Sequence, residues 1–157
     1  MLPRATPTIK QLLSYRLHQV ANLLSRGAEL RYRREFGVSL WEWRSVALLG
    51  AAAEPQSLNE LARAAGMDKS QMSRVVSGLT KKKIVVREAD ASDGRGIRLS
   101  LAAPGRSLYQ KLIRAAAERD DAFRGSLTAR ERAVLETILT KLAREARGFI
   151  QAEKASR

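Results

Sequence analysis

The sequence has 157 residues, no cysteine and one histidine, and 29 Lys/Arg against 16 Asp/Glu leave a net charge of +13. That length suits one domain with a real core. The missing cysteines exclude disulfide staples and thiol switches, and a lone histidine cannot complete a structural zinc site. No nucleophile motif such as G-x-S-x-G is present, so an enzyme is not expected, and neither is a metal or cofactor. The longest apolar run, Val46 to Ala53, is far short of the roughly 20 residues of a membrane span. The start of the chain has no signal-peptide core, so a cytoplasmic location without a membrane partner is expected. A strongly basic balance favours a polyanionic partner, nucleic acid first. Residues 55–101 hold nine Lys/Arg against five Asp/Glu, so charge alone does not place the site.

In chain order, Thr8 to about Arg34 reads as a long helix. Ile9, Leu13, Leu17, Val20 and Leu24 form one apolar stripe, and Leu12, Leu23 and Leu30 flank it. A second helix over Leu40 to Ala52 ends before Pro55. Ser57-Leu58-Asn59-Glu60 is a capping box that opens a short helix ending at Gly66. Asp68 caps the next helix, in which Met72, Val75, Val76 and Leu79 recur at the spacing of one buried face. Ser70, Gln71, Ser73, Arg74 and Ser77 are left pointing out. Ile84-Val85-Val86 reads as a strand and Ile97 to Leu101 as its antiparallel partner, with Ile97, Leu99 and Leu101 turned inward. Between them lies the glycine-punctuated turn Ser92-Asp93-Gly94-Arg95-Gly96. Pro104-Gly105 opens a long helix to about Arg124. A capping box of Thr128 and Glu131 opens a last helix that runs to about Ala152.

Helix, short helix, turn, helix, strand, turn, strand is the order of a winged helix-turn-helix, so the expected fold is mainly α with a small β-hairpin wing. A helix held by its apolar back presents its polar face to base edges in a major groove. The residues expected at DNA are Ser70, Gln71, Ser73, Arg74 and Ser77 on that helix, with Arg95 and Arg98 on the wing. Arg95, between two glycines, suits an adjacent minor groove, and Asp93 suits a clamp that directs it. Lys81, with Lys82 and Lys83, suits phosphate contact or the negative end of the helix dipole equally.

These pieces together resemble the MarR family of bacterial regulators. They are Trp43-Arg44, Leu58-x-x-Leu61-Ala62, Ser73-Arg74-x-Val76-x-x-Leu79, Asp93-x-Arg95, and Ser100-Leu101 before Pro104-Gly105-Arg106. The resemblance spans nearly the whole chain. It implies one domain over 1–157, with residues 8–36 and 103–152 as dimerisation helices and 55–101 as the winged helix-turn-helix. It also implies a homodimer that binds a palindromic operator on double-stranded DNA, and repression that a small molecule relieves. Lys83 stands where the family usually has Gly, and Ala102 where it usually has a capping Thr. The family's peroxide sensors need a cysteine, so that subgroup is excluded.

Apolar residues on more than one side of the first helix, and Val134, Leu135, Ile138, Leu139, Leu142, Ala146, Phe149 and Ile150 on the last, independently favour a two-fold partner. The implied effector pocket has Tyr15, Tyr32, Phe36, Trp41 and Trp43 as candidate walls, and Arg16, His18 and Arg44 as polar groups. Arg16, His18 and Trp41 are the ligand-binding candidates among them. Stacking walls beside a cation suit an aromatic carboxylate or its thioester. A non-specific architectural DNA-binding protein is the competing expectation.

Overall fold

The computed structural model describes residues 6–89 and 96–156. A single 3-10 turn at Ile9–Gln11 precedes α1 (Leu13–Phe36), α2 (Leu40–Ala51), β1 (Gln56–Ser57), α3 (Leu58–Ala65), α4 (Lys69–Lys81), β2 (Val85–Ala89), β3 (Ile97–Leu101), α5 (Ala103–Gly125) and α6 (Ala129–Ala155). The chain divides into two compact units at Ile113 and Arg114.

The helix starts are built by side chains that satisfy the free amides of the first turn. Ser39 and Glu42, Ser57 and Glu60, and Thr128 and Glu131 each form a reciprocal capping box. At α4 the cap is one-sided: Asp68 Oδ1 accepts the Gln71 amide at 2.8 Å and the Ser70 hydroxyl at 2.7 Å. The first helix is not continuous from Thr8. Leu12 is extended (ψ 133°) between the 3-10 turn and α1, so the apolar stripe begins on a separate turn.

In the first unit α2 is the hub, packed on α1, α3, α4 and β3. Val46, Leu61, Met72, Val76, Leu79, Leu99 and Leu112 are almost completely buried, and Tyr32 packs on Trp43 with ring centroids 5.0 Å apart. Each such side chain contributes about 1.5–3 kcal/mol on burial, so this cluster dominates the unit's stability. The sheet order is β1-β3-β2, antiparallel throughout. The two-residue β1 is missing from the sequence reading because its strand signal is absorbed by the capping box at Ser57.

Two details of the hairpin correct that reading. Ile84 is not in a strand: its amide closes the end of α4 on the Leu79 carbonyl, and β2 begins at Val85 opposite Leu101. Ile97 does not face inward with Leu99 and Leu101. It is 46% exposed because it pairs with Ala89 at the outer end of the hairpin, beyond the reach of the core. At the other end, Gly105 brings α5 so close to Ile84 that a Cβ would collide with the Ile84 carbonyl oxygen.

The end of α4 shows what Lys83 does in place of glycine. The Lys83 amide bonds to Thr80 O and the Ile84 amide to Leu79 O, a two-bond helix stop that requires a left-handed residue at position 83. Lys83 adopts φ 58°, close to Gly37 and Gly66 at the ends of α1 and α3, so the helix ends as it would with glycine, but under strain. A left-handed non-glycine residue costs about 1–2 kcal/mol, part of which glycine gives back as unfolded-chain entropy. Lys83→Gly is therefore expected to raise stability by up to about 1 kcal/mol, or roughly 2–4 °C in Tm by calorimetry. A lowered Tm would show that residue 83 is relaxed.

Candidate nucleic-acid interface

Helix α4 is fixed from behind. Met72, Val76 and Leu79 are completely buried on one side, while Ser70, Gln71, Arg74 and Lys81 are exposed and Ser73 and Ser77 are half-buried. At 3.6 residues per turn, Ser70, Arg74, Ser77 and Lys81 fall in one row along the solvent side. The structure thus brings together six of the helix residues expected at DNA. Ser70 is committed to Asp68 through its hydroxyl, so it belongs first to the cap. The Gln71 amide, with the Ser70 hydroxyl next, holds the Asp68 carboxyl below its ordinary value and keeps that cap charged.

The three lysines after this helix have different fates. Lys81 stays on the exposed row. Lys82 Nζ lies 2.6 Å from Glu42 Oε1, tying the end of α4 to the first turn of α2. Burial pushes the Glu42 carboxyl up, but hydrogen bonds from Lys82 and from the Ser39 amide outweigh it and hold the group below its ordinary value. Lys83 is the left-handed helix stop. Sequence spacing could not separate these roles, because the partner of Lys82 is 40 positions away.

On the wing, Asp93 and Arg95 lie outside the described residues. Arg98 is the second residue of β3 and is engaged with protein: its Nη1 donates to Glu60 Oε2 at 3.2 Å and to Pro55 O at 3.4 Å. Arg87, a residue the sequence reading passed over, is exposed on β2 opposite Leu99. Its signal was available, since an arginine in a strand that otherwise alternates toward a core marks the point where the hairpin leaves that core.

The proposed ligand residues do not converge. Arg16 and His18 are exposed on α1, and Asn22 Nδ2 lies 2.9 Å from His18 Nε2. Trp41 is 37% exposed, with the Arg44 guanidinium 4.8 Å from its ring centroid. Tyr32 corrects the expectation of a pocket wall: it is completely buried between Phe36 and Trp43 and belongs to the core. A cleft of about 370 Å³ does open beside Arg44, lined by Trp43, Ala47, Leu48, Ala64 and Ala65. Arg44 also donates to Ser25 Oγ at 3.2 Å. Among the described residues no cluster of three or more His, Asp or Glu is placed to hold a metal ion, and no helix is long and apolar enough to cross a membrane.

With this geometry in view, residues 36–96 match the model of the MarR family. The chain is similar to a MarR/EmrR family transcriptional regulator from Acinetobacter sp. ADP1, at 25% identity over 90% of this chain and 99% of that one, with a TM-score of 0.82. It is similar to a probable transcriptional regulator from Pseudomonas aeruginosa at 25% identity over 86% and 99%, with a TM-score of 0.71. Staphylococcus aureus MepR, in a structure of its complex with DNA, shares the fold at 18% identity over 88% and 99%, with a TM-score of 0.78. The part of the chain that holds the winged helix-turn-helix thus matches the MarR family, and the chain as a whole is similar to MarR-family transcriptional regulators.

Proposed function

We propose that this protein is a homodimeric repressor, acting in the cytoplasm, that grips a palindromic operator with two copies of α4 and lets go when a small aromatic acid or thioester binds. The observation that carries the reading is the split of α4 into a fully buried apolar back and an exposed row of small, amide and cationic side chains. Gln71 and Arg74 are the residues with base-reading chemistry, since an amide pairs with adenine and a guanidinium with guanine. Ser73, Ser77 and Lys81 suit phosphate and edge contacts around them. Arg95 suits the minor groove and Asp93 its alignment. The MepR structure with DNA supports a duplex as the partner.

The dimer rests on α6. This 27-residue helix has no buried residue within one chain, although Val134, Leu135, Ile138, Leu139, Phe149 and Ile150 lie along it. Likewise Leu13, Leu17, Val20, Leu23 and Leu30 are exposed on α1. Helices carrying this much uncovered apolar surface gain their stability from a partner, and a second copy is the one that gives two-fold half-sites.

The effector proposal rests on the cleft beside Arg44, whose apolar and indole walls with one guanidinium suit a flat carboxylate. Trp41 stands beside it through the Arg44 guanidinium, and Arg16 and His18 enter it only as groups that a partner copy would bring closer.

Three measurements test the reading: DNA affinity, oligomeric state and ligand-induced stabilisation. Arg74→Ala is expected to weaken binding to the duplex upstream of the protein's own gene by about 5- to 150-fold in fluorescence anisotropy, and Gln71→Ala to relax sequence preference. Equal wild-type affinity for that duplex and for random DNA at every salt concentration would favour the non-specific architectural protein instead. Ile138→Asp is expected to convert a dimer to monomer in analytical ultracentrifugation, and a wild-type monomer at micromolar concentration would refute the dimer. Benzoate-type acids and their thioesters are expected to raise Tm in wild type and not in Arg44→Met, with no shift in either removing the cleft from the mechanism.

A further inference from the structure

Arg98 faces two possible partners, the phosphates expected of a basic wing and the carboxylate of Glu60. We infer that Arg98 is a positioning residue: paired with Glu60, it sets the angle between the β2–β3 hairpin and the helix-turn-helix, and acts on DNA binding through that angle and not through contact with DNA. The inference rests on the chain being a DNA-binding regulator and deepens that reading.

The argument starts from topology. β1 is only two residues long, pairs Gln56 with Leu99 and Ser57 with Arg98, and passes without a loop into α3. Ser57 is therefore both a strand residue of the wing sheet and the N-cap of the first helix of the helix-turn-helix. Two backbone pairs alone form a weak hinge, because so short a ladder can twist about its hydrogen bonds. The side chains close it. Glu60 Oε2 accepts the Ser57 amide at 2.7 Å, and the same oxygen accepts from Arg98 Nη1, which also reaches the Pro55 carbonyl. One guanidinium nitrogen thus links the residue before β1, the first turn of α3 and the second residue of β3.

The chemistry suits a strut better than a stabilising bond. The Arg98 and Glu60 side chains are 37% and 49% exposed, and exposed ion pairs add little to folding stability. A pair that does little for stability, at the joint between the two DNA-facing elements, affects geometry more than melting. Engagement with Glu60 also withholds the Arg98 charge from phosphate.

Glu60→Gln is the decisive variant, because glutamine at this position keeps the capping box while removing the charge that holds Arg98. Glu60→Gln, Arg98→Ala and the double variant are compared with wild type in affinity for a random-sequence duplex across salt, and in Tm. The expected result is that each single variant weakens binding by a similar factor, about two- to thirtyfold. The double variant is expected to be no weaker than either, with Tm nearly unchanged and Arg98→Lys restoring part of the loss. If Arg98→Ala weakens binding and lowers the salt slope by about 0.9 while Glu60→Gln leaves affinity equal or higher, Arg98 is a phosphate contact and the inference is overturned. Loss of Tm without loss of affinity overturns it too, since the pair is then merely structural. A wild-type protein that binds no duplex refutes the DNA-binding reading itself, whereas a binding wild type with indifferent variants refutes only the strut.

Discussion

The seating of α4 on its apolar back is the constraint from which the rest of the structure follows. Met72, Val76 and Leu79 are completely buried against α2, α3 and the sheet, so the helix cannot roll without exposing them. Rolling it would expose these three side chains, at about 1.5–3 kcal/mol each, and carry Arg74 toward the core. The polar row is therefore fixed as a consequence of core packing. What the helix offers a partner is decided by residues that never meet that partner.

Features written in short-range chemistry were legible in the sequence. Ser57 with Glu60, Asp68, and Thr128 with Glu131 announce helix starts because a cap and its amide lie three residues apart. The α4 face was equally clear, since burial at 3.6-residue spacing needs no knowledge of the neighbours. What the sequence hid depended on distant partners. The two residues of β1 gain strand character only from β3, 41 to 43 positions later. Ile97 reads as core by alternation, yet burial depends on how far the core extends beneath the hairpin, which alternation does not encode. Lys83 shows the opposite case: the tertiary position of β2 forces a left-handed stop on a residue whose chirality resists it.

The two units differ in how far they complete themselves. In the first, α2 collects burial from four elements, and the exposed large apolar residues among those described are Ile9 and Leu12 ahead of α1, those of α1 itself, Trp41, Ile97 and Ile113. In the second, α6 buries nothing, although its capping box shows a helix whose start is locally well specified. Local specification sets where a helix begins and ends, whereas its stability comes from a covered face. A helix encoded this firmly, with its apolar side bare, is what the proposed second copy would cover.

The same division governs charge. A net +13 suggests an indiscriminate polycation, but pairs edit the cations that the DNA-facing side presents. Glu42 takes Lys82 and Glu60 takes Arg98, each carboxylate doubling as the third residue of a capping box, so each is already held in place before the cation arrives. Reusing a cap as a counter-anion costs little extra side-chain entropy, because the rotamer is fixed by the amide it accepts from. Arg74 and Lys81 form no ion pair among the described residues, although the Asp68 cap feels the charge of Arg74, and they are the cations that the packing of α4 turns outward. Non-specific attraction scales with the number of phosphates neutralised, so withdrawing cations at the joints lowers it while leaving the exposed row of α4 intact. On the proposed reading, selectivity depends on which positive charges the fold consumes internally as much as on which ones it displays.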